Sequence, residues 1–297
     1  MTGDGPLDPG VAAGDVDAAD AEDGEGPPEI DEGRYLYCVV SVDEGSPVEA
    51  FEATGVSDEP VSVVTNGGIA AVVHSCEEVY DSADLGRVRR WLVRHQSVVD
   101  DAGEAFGTPI PFQFDTILRG DDEAVEEWLA AEGDRLRELL ASLAGHWEYR
   151  VEVVERDPPS ADRLEETDEE LADLRERIDG SGEGTGFLVE KQYEKRVETL
   201  REHRRAELTA DLADRLAEHT REVHELDRSP AADLAGGSGR EREGETICRL
   251  TLLVAEEREE AVGAALDPVA DREGIEVRFT GPWPPYTFVP ELGGGEE

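Results

Sequence analysis

The chain has 297 residues and a formal net charge of −45, from 73 acidic and 28 basic residues. That balance excludes recognition of nucleic acid through a basic groove. It fits a folded protein adapted to very high salt, where the Debye length falls to roughly 3 Å and like charges scarcely repel, better than an acidic chain held open by self-repulsion, because periodic apolar patterns run through most of it.

In chain order, residues 1–33 are rich in Asp, Gly, Ala and Pro and read as a disordered acidic tail. RYLYCVV (34–40) is a compact β-type run, and VSVVTNGGIAAVVHS (61–75) follows with an Asn66-Gly67 hairpin signal. Leu85, Val88, Leu92, His95, Val99, Ala102 and Phe106 repeat at three and four residues and predict a helix with that face inward. IPFQFDTIL (110–118) alternates like a strand, and 121–143 predicts a second helix with Asp121 and Asp122 at the positive end of its dipole. WEYRVEVVE (147–155) is a strand with Trp147, Tyr149, Val151 and Val153 on one face and Glu148, Arg150 and Glu152 on the other. Helical patterns follow over 161–179 and, after the Gly-rich GSGEGTG (180–186), from Phe187 to Leu226. So long and narrow a stripe suggests packing on a sheet or a helical hairpin with 161–179. A polar loop (228–245), a strand (247–255), a helix (256–274), a strand (275–280) and a flexible tail (291–297) complete the chain. The expected fold class is α+β in two domains: 34–144, and 145–290 as a modified ferredoxin-like domain with a long helical insertion over 161–226, one strand short of the usual pattern.

Signals for chemistry are sparse. GSGEGTG lacks the Lys of a phosphate loop and reads as a helix break. His74, Cys76, Cys38 and Cys248 have no metal-ligand spacing, and each cysteine reads as a small core residue. Three widely spaced cysteines give no disulfide framework and suggest a reducing compartment. His219 and His224, five apart on a helix, are poor co-ligands, and His95 reads as a core histidine. No nucleophile elbow, zinc motif or cofactor fingerprint is present, so neither enzyme activity nor a cofactor is expected. With no signal-peptide pattern and no apolar run near the roughly 20 residues of a membrane span, a soluble cytoplasmic protein without nucleic-acid or membrane partners is expected.

Two features stand out. FLVEKQYEKR (187–196) holds the chain's only two lysines, Lys191 and Lys195, one turn apart. They either pair with Glu190 and Glu194 along the helix or meet a carboxylate elsewhere. RFTGPWPPYTFV (278–289) sets Trp283, Tyr286 and Phe288 on a backbone stiffened by Pro282, Pro284 and Pro285, after a turn at Gly281. Such a segment either clamps its own core or presents aromatic anchors to a partner.

RFTGPWPPYTFV, together with YLYCVV, PFQFDTIL and GTGFLVEKQYEKR in this order, resembles the GvpF/GvpL family of gas vesicle proteins over about residues 34–290. The acidic N-terminal extension and the extra material between 156 and 245 look most like the haloarchaeal GvpL branch. The resemblance implies two α+β domains meeting near 143–147. It also implies an accessory protein and minor vesicle component that helps nucleate or assemble the gas-filled shell. Its partners would be the small hydrophobic shell protein and other accessory proteins. A shell-resident structural protein is the alternative. No catalytic or cofactor residues come with the family. Gly186, Lys191, Gly281, Pro282, Trp283, Pro284, Pro285, Tyr286 and Phe288 match its motifs, in a structural or binding role.

Overall fold

The computed structural model describes residues 30–43, 45–226 and 244–290. The acidic tail up to residue 29, most of the expected polar loop and the tail 291–297 lie outside the described residues.

The first half is a sheet between two helices. Strand β1 (Gly33–Ser41) is central and antiparallel to β3 (Ile69–Cys76), which pairs on its far side with β2 (Ser62–Asn66). Both faces of β1 are covered, which is why its sequence is a continuous apolar run with no alternation. A bulge between Leu36 and Cys38 shifts its parity. The hairpin falls where the sequence places it, but its two turn residues are Gly67 and Gly68, both at positive φ, while Asn66 pairs with Ile69 as the last rung.

Helix α1 (Leu85–Phe106) covers one face of the sheet and α2 (Asp122–Leu143) the other. Asp84 and Asp121 cap them by accepting backbone N–H groups of the first turn. The buried side of α1 runs through Trp91, His95, Val98, Val99 and Ala102; Leu85 and Leu92, expected inside, are exposed. The seam is rotated because Trp91 and Val98 take the sheet contact.

The expected strand 110–118 is interrupted. Its ends, β4 (Ile110–Pro111) and β5 (Ile117–Arg119), both pair with β1. Between the Tyr35↔Ile117 and Val39↔Ile110 pairs this edge uses three residues more than β1 does. The excess loops out at Asp115, held at φ 67.

The second half follows Gly145, with strand β6 (His146–Glu155) starting one residue later. Then come α3 (Ala161–Glu165), α4 (Glu169–Asp179), α5 (Glu183–Ala217), β7 (Glu222–Glu225), β8 (Glu245–Ala255), α6 (Glu259–Ala270) and β9 (Ile275–Trp283). Helix α5 begins inside the Gly-rich stretch, so only 180–182 break the chain. It also ends nine residues before Leu226. The expected helical end becomes β7, an edge strand on β8. His219 and His224 therefore never share a helix.

The sheet order is β7-β8-β6-β9, antiparallel throughout. Leu212 and Leu216 of α5 and Val262, Leu266 and Val269 of α6 cover the face carrying Tyr149, Val151, Leu250 and Leu252. The N-terminal half of α5 leaves the sheet and packs through Val189, Tyr193 and Val197 on Leu171 and Leu174 of α4, so both expected settings of the long helix occur. Asp168 joins this hairpin twice, capping α4 and accepting from Arg196 at 2.7 Å. The opposite face of the sheet is partly a cross-strand charge ladder, with Glu152 between Arg249 and Arg278 at 3.0 Å each. Partly it meets the first half, where Leu253 enters the α2-side core; from the other face, the Trp147 ring lies against Gly103 of α1.

Candidate functional site

The first half holds a buried polar constellation that was not anticipated as a unit. Tyr35, Tyr37, His74, Tyr80 and His95 lie between the sheet and α1, all at or below 8% exposure. Tyr80 Oη meets His74 Nε2 and Tyr37 Oη meets His74 Nδ1, each at 2.8 Å. Tyr35 Oη meets His95 Nδ1 at 2.8 Å, and His95 Nε2 lies 3.1 Å from the carbonyl of Phe112. A carbonyl only accepts, so His95 carries its proton on Nε2 and Nδ1 accepts from Tyr35. Tyr35 and Tyr37 also accept backbone N–H groups from Asp115 and Val56. The looped-out edge explains the geometry: Asp115 turns its N–H to Tyr35 and its carboxylate to the backbone N–H of Tyr80.

Burial lowers both histidines to about 4, His74 with a smaller push from His95. Burial likewise raises the tyrosine hydroxyls. The groups are neutral and mutually satisfied, and the rings fill the space on one another, with Tyr35 stacked on His74 at 4.8 Å. This is an internal network that fixes α1 on the sheet. His95 is the core histidine the sequence suggests. The signal for the rest is Tyr35 and Tyr37, two apart on β1, facing His74 on β3.

The C-terminal motif links the two halves. β9 does not stop at Thr280. It runs on through a cis Gly281-Pro282 bond to Trp283, which pairs with Glu148 past an irregularity in the ladder. Gly281 sits at φ 137, and a Cβ there would come within 2.9 Å of the Glu148 carbonyl and 2.7 Å of the Tyr149 ring. No other residue fits. Pro284 and Pro285 are buried, and Tyr286–Phe288 form a short 3-10 turn. Phe288 and Val289 pack against the core of the first half, and Phe288 lies 5.0 Å from the His224 ring of β7. Tyr286 is half-buried with its hydroxyl enclosed; burial raises that hydroxyl, with smaller pushes from neighbours that include Asp100 and Glu148. The Glu148 carboxylate anchors the segment: fully buried, it accepts from Arg150 at 2.9 Å and from the Thr287 N–H at 2.8 Å. By strand alternation alone, Glu148 falls on the polar face with Arg150 and Glu152.

Lys191 and Lys195 lie exposed on α5. Lys191 reaches Glu194 at 2.5 Å and hangs over the Phe187 ring at 5.9 Å. Phe187 and Leu188 beside them are 60% and 64% exposed. Cys38 and Cys76 are buried in the first half and Cys248 in the second, all as free thiols. Among the described residues, no group of three or more His, Cys, Asp or Glu side chains is placed to hold a metal ion, and no helix is long and apolar enough to cross a membrane.

The family model described as "Gas vesicle synthesis protein GvpL/GvpF" matches residues 33–290. The chain belongs to the GvpL/GvpF family. The matched range starts at the first residue of β1 and ends just after the segment that joins the halves. Gas vesicle protein L1 of Halobacterium salinarum is 44% identical over 89% of this chain and 92% of its own length. Gas vesicle protein L of Haloferax mediterranei is 36% identical over 89% of each. These haloarchaeal relatives agree with the composition of a halophile's protein. Among solved structures, the gas vesicle protein GvpF from Anabaena sp. shares the fold with a TM-score of 0.71, at 19% identity, over 88% of this chain and 100% of that one. GvpF from Microcystis aeruginosa gives a TM-score of 0.60 at 20% identity, over 86% and 98%.

Proposed function

We propose that this GvpL/GvpF member is an assembly factor and minor component of gas vesicles, without enzymatic activity. It would help nucleate or build the shell by binding the small hydrophobic shell protein and other accessory proteins. The match to a gas vesicle synthesis family over nearly all of the described chain carries this reading. A strongly acidic body suits the role, because it stays dispersed while holding an aggregation-prone partner. We read the molecule as two units meeting near Gly145. The second follows a ferredoxin-like plan: strand, helix, strand, strand, helix, strand, with the sheet order β7-β8-β6-β9. Gly281, Pro282, Trp283, Pro284, Pro285, Tyr286 and Phe288 we assign to an internal strap, since Gly281 and Trp283 lie against β6 of the second unit, Pro284 and Pro285 are buried, and Phe288 packs on the core of the first. A partner contact falls better to Lys191 and Lys195 with Phe187 and Leu188, which are open to solvent.

The test is a pull-down in multimolar salt against the shell protein and each accessory protein separately. Direct capture of the shell protein, weakened by Phe187→Ser with Leu188→Ser, supports the reading. Capture of accessory proteins alone makes the chain a scaffold. Capture of nothing, with stoichiometric retention in washed vesicles, favours a shell-resident structural protein.

A further inference from the structure

The outer face of α1 departs from the rest of the molecule in charge and polarity. Residues 85–99 contain four arginines and no acidic residue, in a chain with 73 acidic residues. Three of the five large apolar side chains that stand exposed among the described residues are here: Leu85 at 74%, Val93 at 60% and Leu92 at 40%. Helical geometry puts Leu85, Arg89, Leu92 and Val93 on one stripe about 12 Å long, with Arg90 at its flank. This stripe points away from the buried seam through Trp91, His95 and Val98.

The arginines are not equivalent. Arg87 is spent on the Trp91 ring, 4.5 Å from its centroid, and Arg94 reaches Asp58 only at 4.0 Å. Arg89 and Arg90 are exposed and form no ion pair among the described residues. Aliphatic groups flanked by arginines without carboxylates are complementary to a surface that alternates aliphatic and acidic side chains. A bidentate guanidinium–carboxylate contact acts at hydrogen-bond distance, where salt screens it least.

We propose that this stripe is a docking surface for an acidic amphipathic helix of a partner protein, its aliphatic side chains seated on Leu85, Leu92 and Val93 and its carboxylates on Arg89 and Arg90. Aliphatic seats at helical spacing favour a partner helix over nucleic acid, which presents no aliphatic ridge to them. The stripe is separate from the exposed α5 residues, so the inference does not rest on the assembly reading.

The test uses the full chain with a photo-crosslinking amino acid at position 92, expressed with its gas vesicle proteins, and sequencing of the crosslinked peptide. The expected adduct is a segment of another protein that carries aliphatic residues at helical spacing flanked by Asp or Glu. That segment, synthesised as a peptide, is then titrated in multimolar salt against the unmodified chain and Arg89→Glu. Affinity should fall roughly tenfold or more with the charge reversal, while Arg135→Glu on α2 leaves it unchanged. Leu92→Gln should weaken binding without moving the melting midpoint, since this side chain is exposed. An adduct to residues of this same chain, to a second copy, or to no protein overturns the proposal. So does an acidic peptide whose affinity is indifferent to Arg89→Glu.

Discussion

His74 and His95 enter the folded state as neutral imidazoles because each is enclosed by rings and hydroxyls, with no carboxylate within hydrogen-bond reach. Their pKa values fall from 6.5 to about 4. A depressed histidine favours the folded state above pH 6.5. As pH falls from 6.5 towards 4, the unfolded chain takes up two protons that the folded one refuses, and this contribution is lost. The stake is on the order of 3 kcal/mol for each histidine. The ring resonances should show no titration above about pH 5 in multimolar salt, with His95 protonated on Nε2, as measured by nitrogen–proton correlation spectra. Either ring titrating near 6.5 would remove it from the enclosed network.

Among the elements, β6 and the strap are coupled through one carboxylate. Glu148 is out of contact with water and holds both Arg150 and the Thr287 N–H. Glu148→Ala leaves that N–H without an acceptor inside the joint and should cost about 3 kcal/mol. Thermal melts read the cost, and hydrogen exchange should show Thr287 losing protection well before the interior of β8. Equal protection of the two would mean that the strap does not depend on Glu148. Elements with one dominant period or one unbroken apolar run were legible in the sequence: β1, the β2–β3 hairpin, both capped helices of the first half, β6 and β8. Those that failed had a reason. β7 is four residues long with Val223 as its single apolar side chain, and 212, 216, 219, 223 and 226 continue a helical spacing by coincidence. The strand over 110–118 keeps neither its single inward face nor its unbroken pairing: Phe112 and Leu118 lie on the α2 side and Phe114 on the α1 side, because the chain loops out at Asp115 to serve Tyr35 and Tyr80. The site was less legible than the fold. Phe187, Leu188 and the lysines were visible as a motif, whereas Leu85 and Leu92 were placed inside because apolar periodicity reports a stripe and not which way it faces.

For the whole molecule, charge sets the working conditions. A net charge of −45 on one chain repels itself strongly once the screening length grows from roughly 3 Å in molar salt to roughly 10 Å at 0.1 M. The melting midpoint should rise steeply with potassium chloride up to the molar range. A midpoint indifferent to salt would show that paired arginines, such as those around Glu152, already neutralise the surface.

The strap also fixes an order of events. Among the described residues, 284–290 follow every strand and every helix in the chain, yet Phe288 and Val289 complete a core begun by Leu36 and Val39. On the ribosome, both sheets are therefore made before this last contact between the halves, and the first half emerges with that part of its core uncovered. A chain truncated just before the strap would keep its two sheets but leave this apolar surface open, so this core closes only after both sheets have been made.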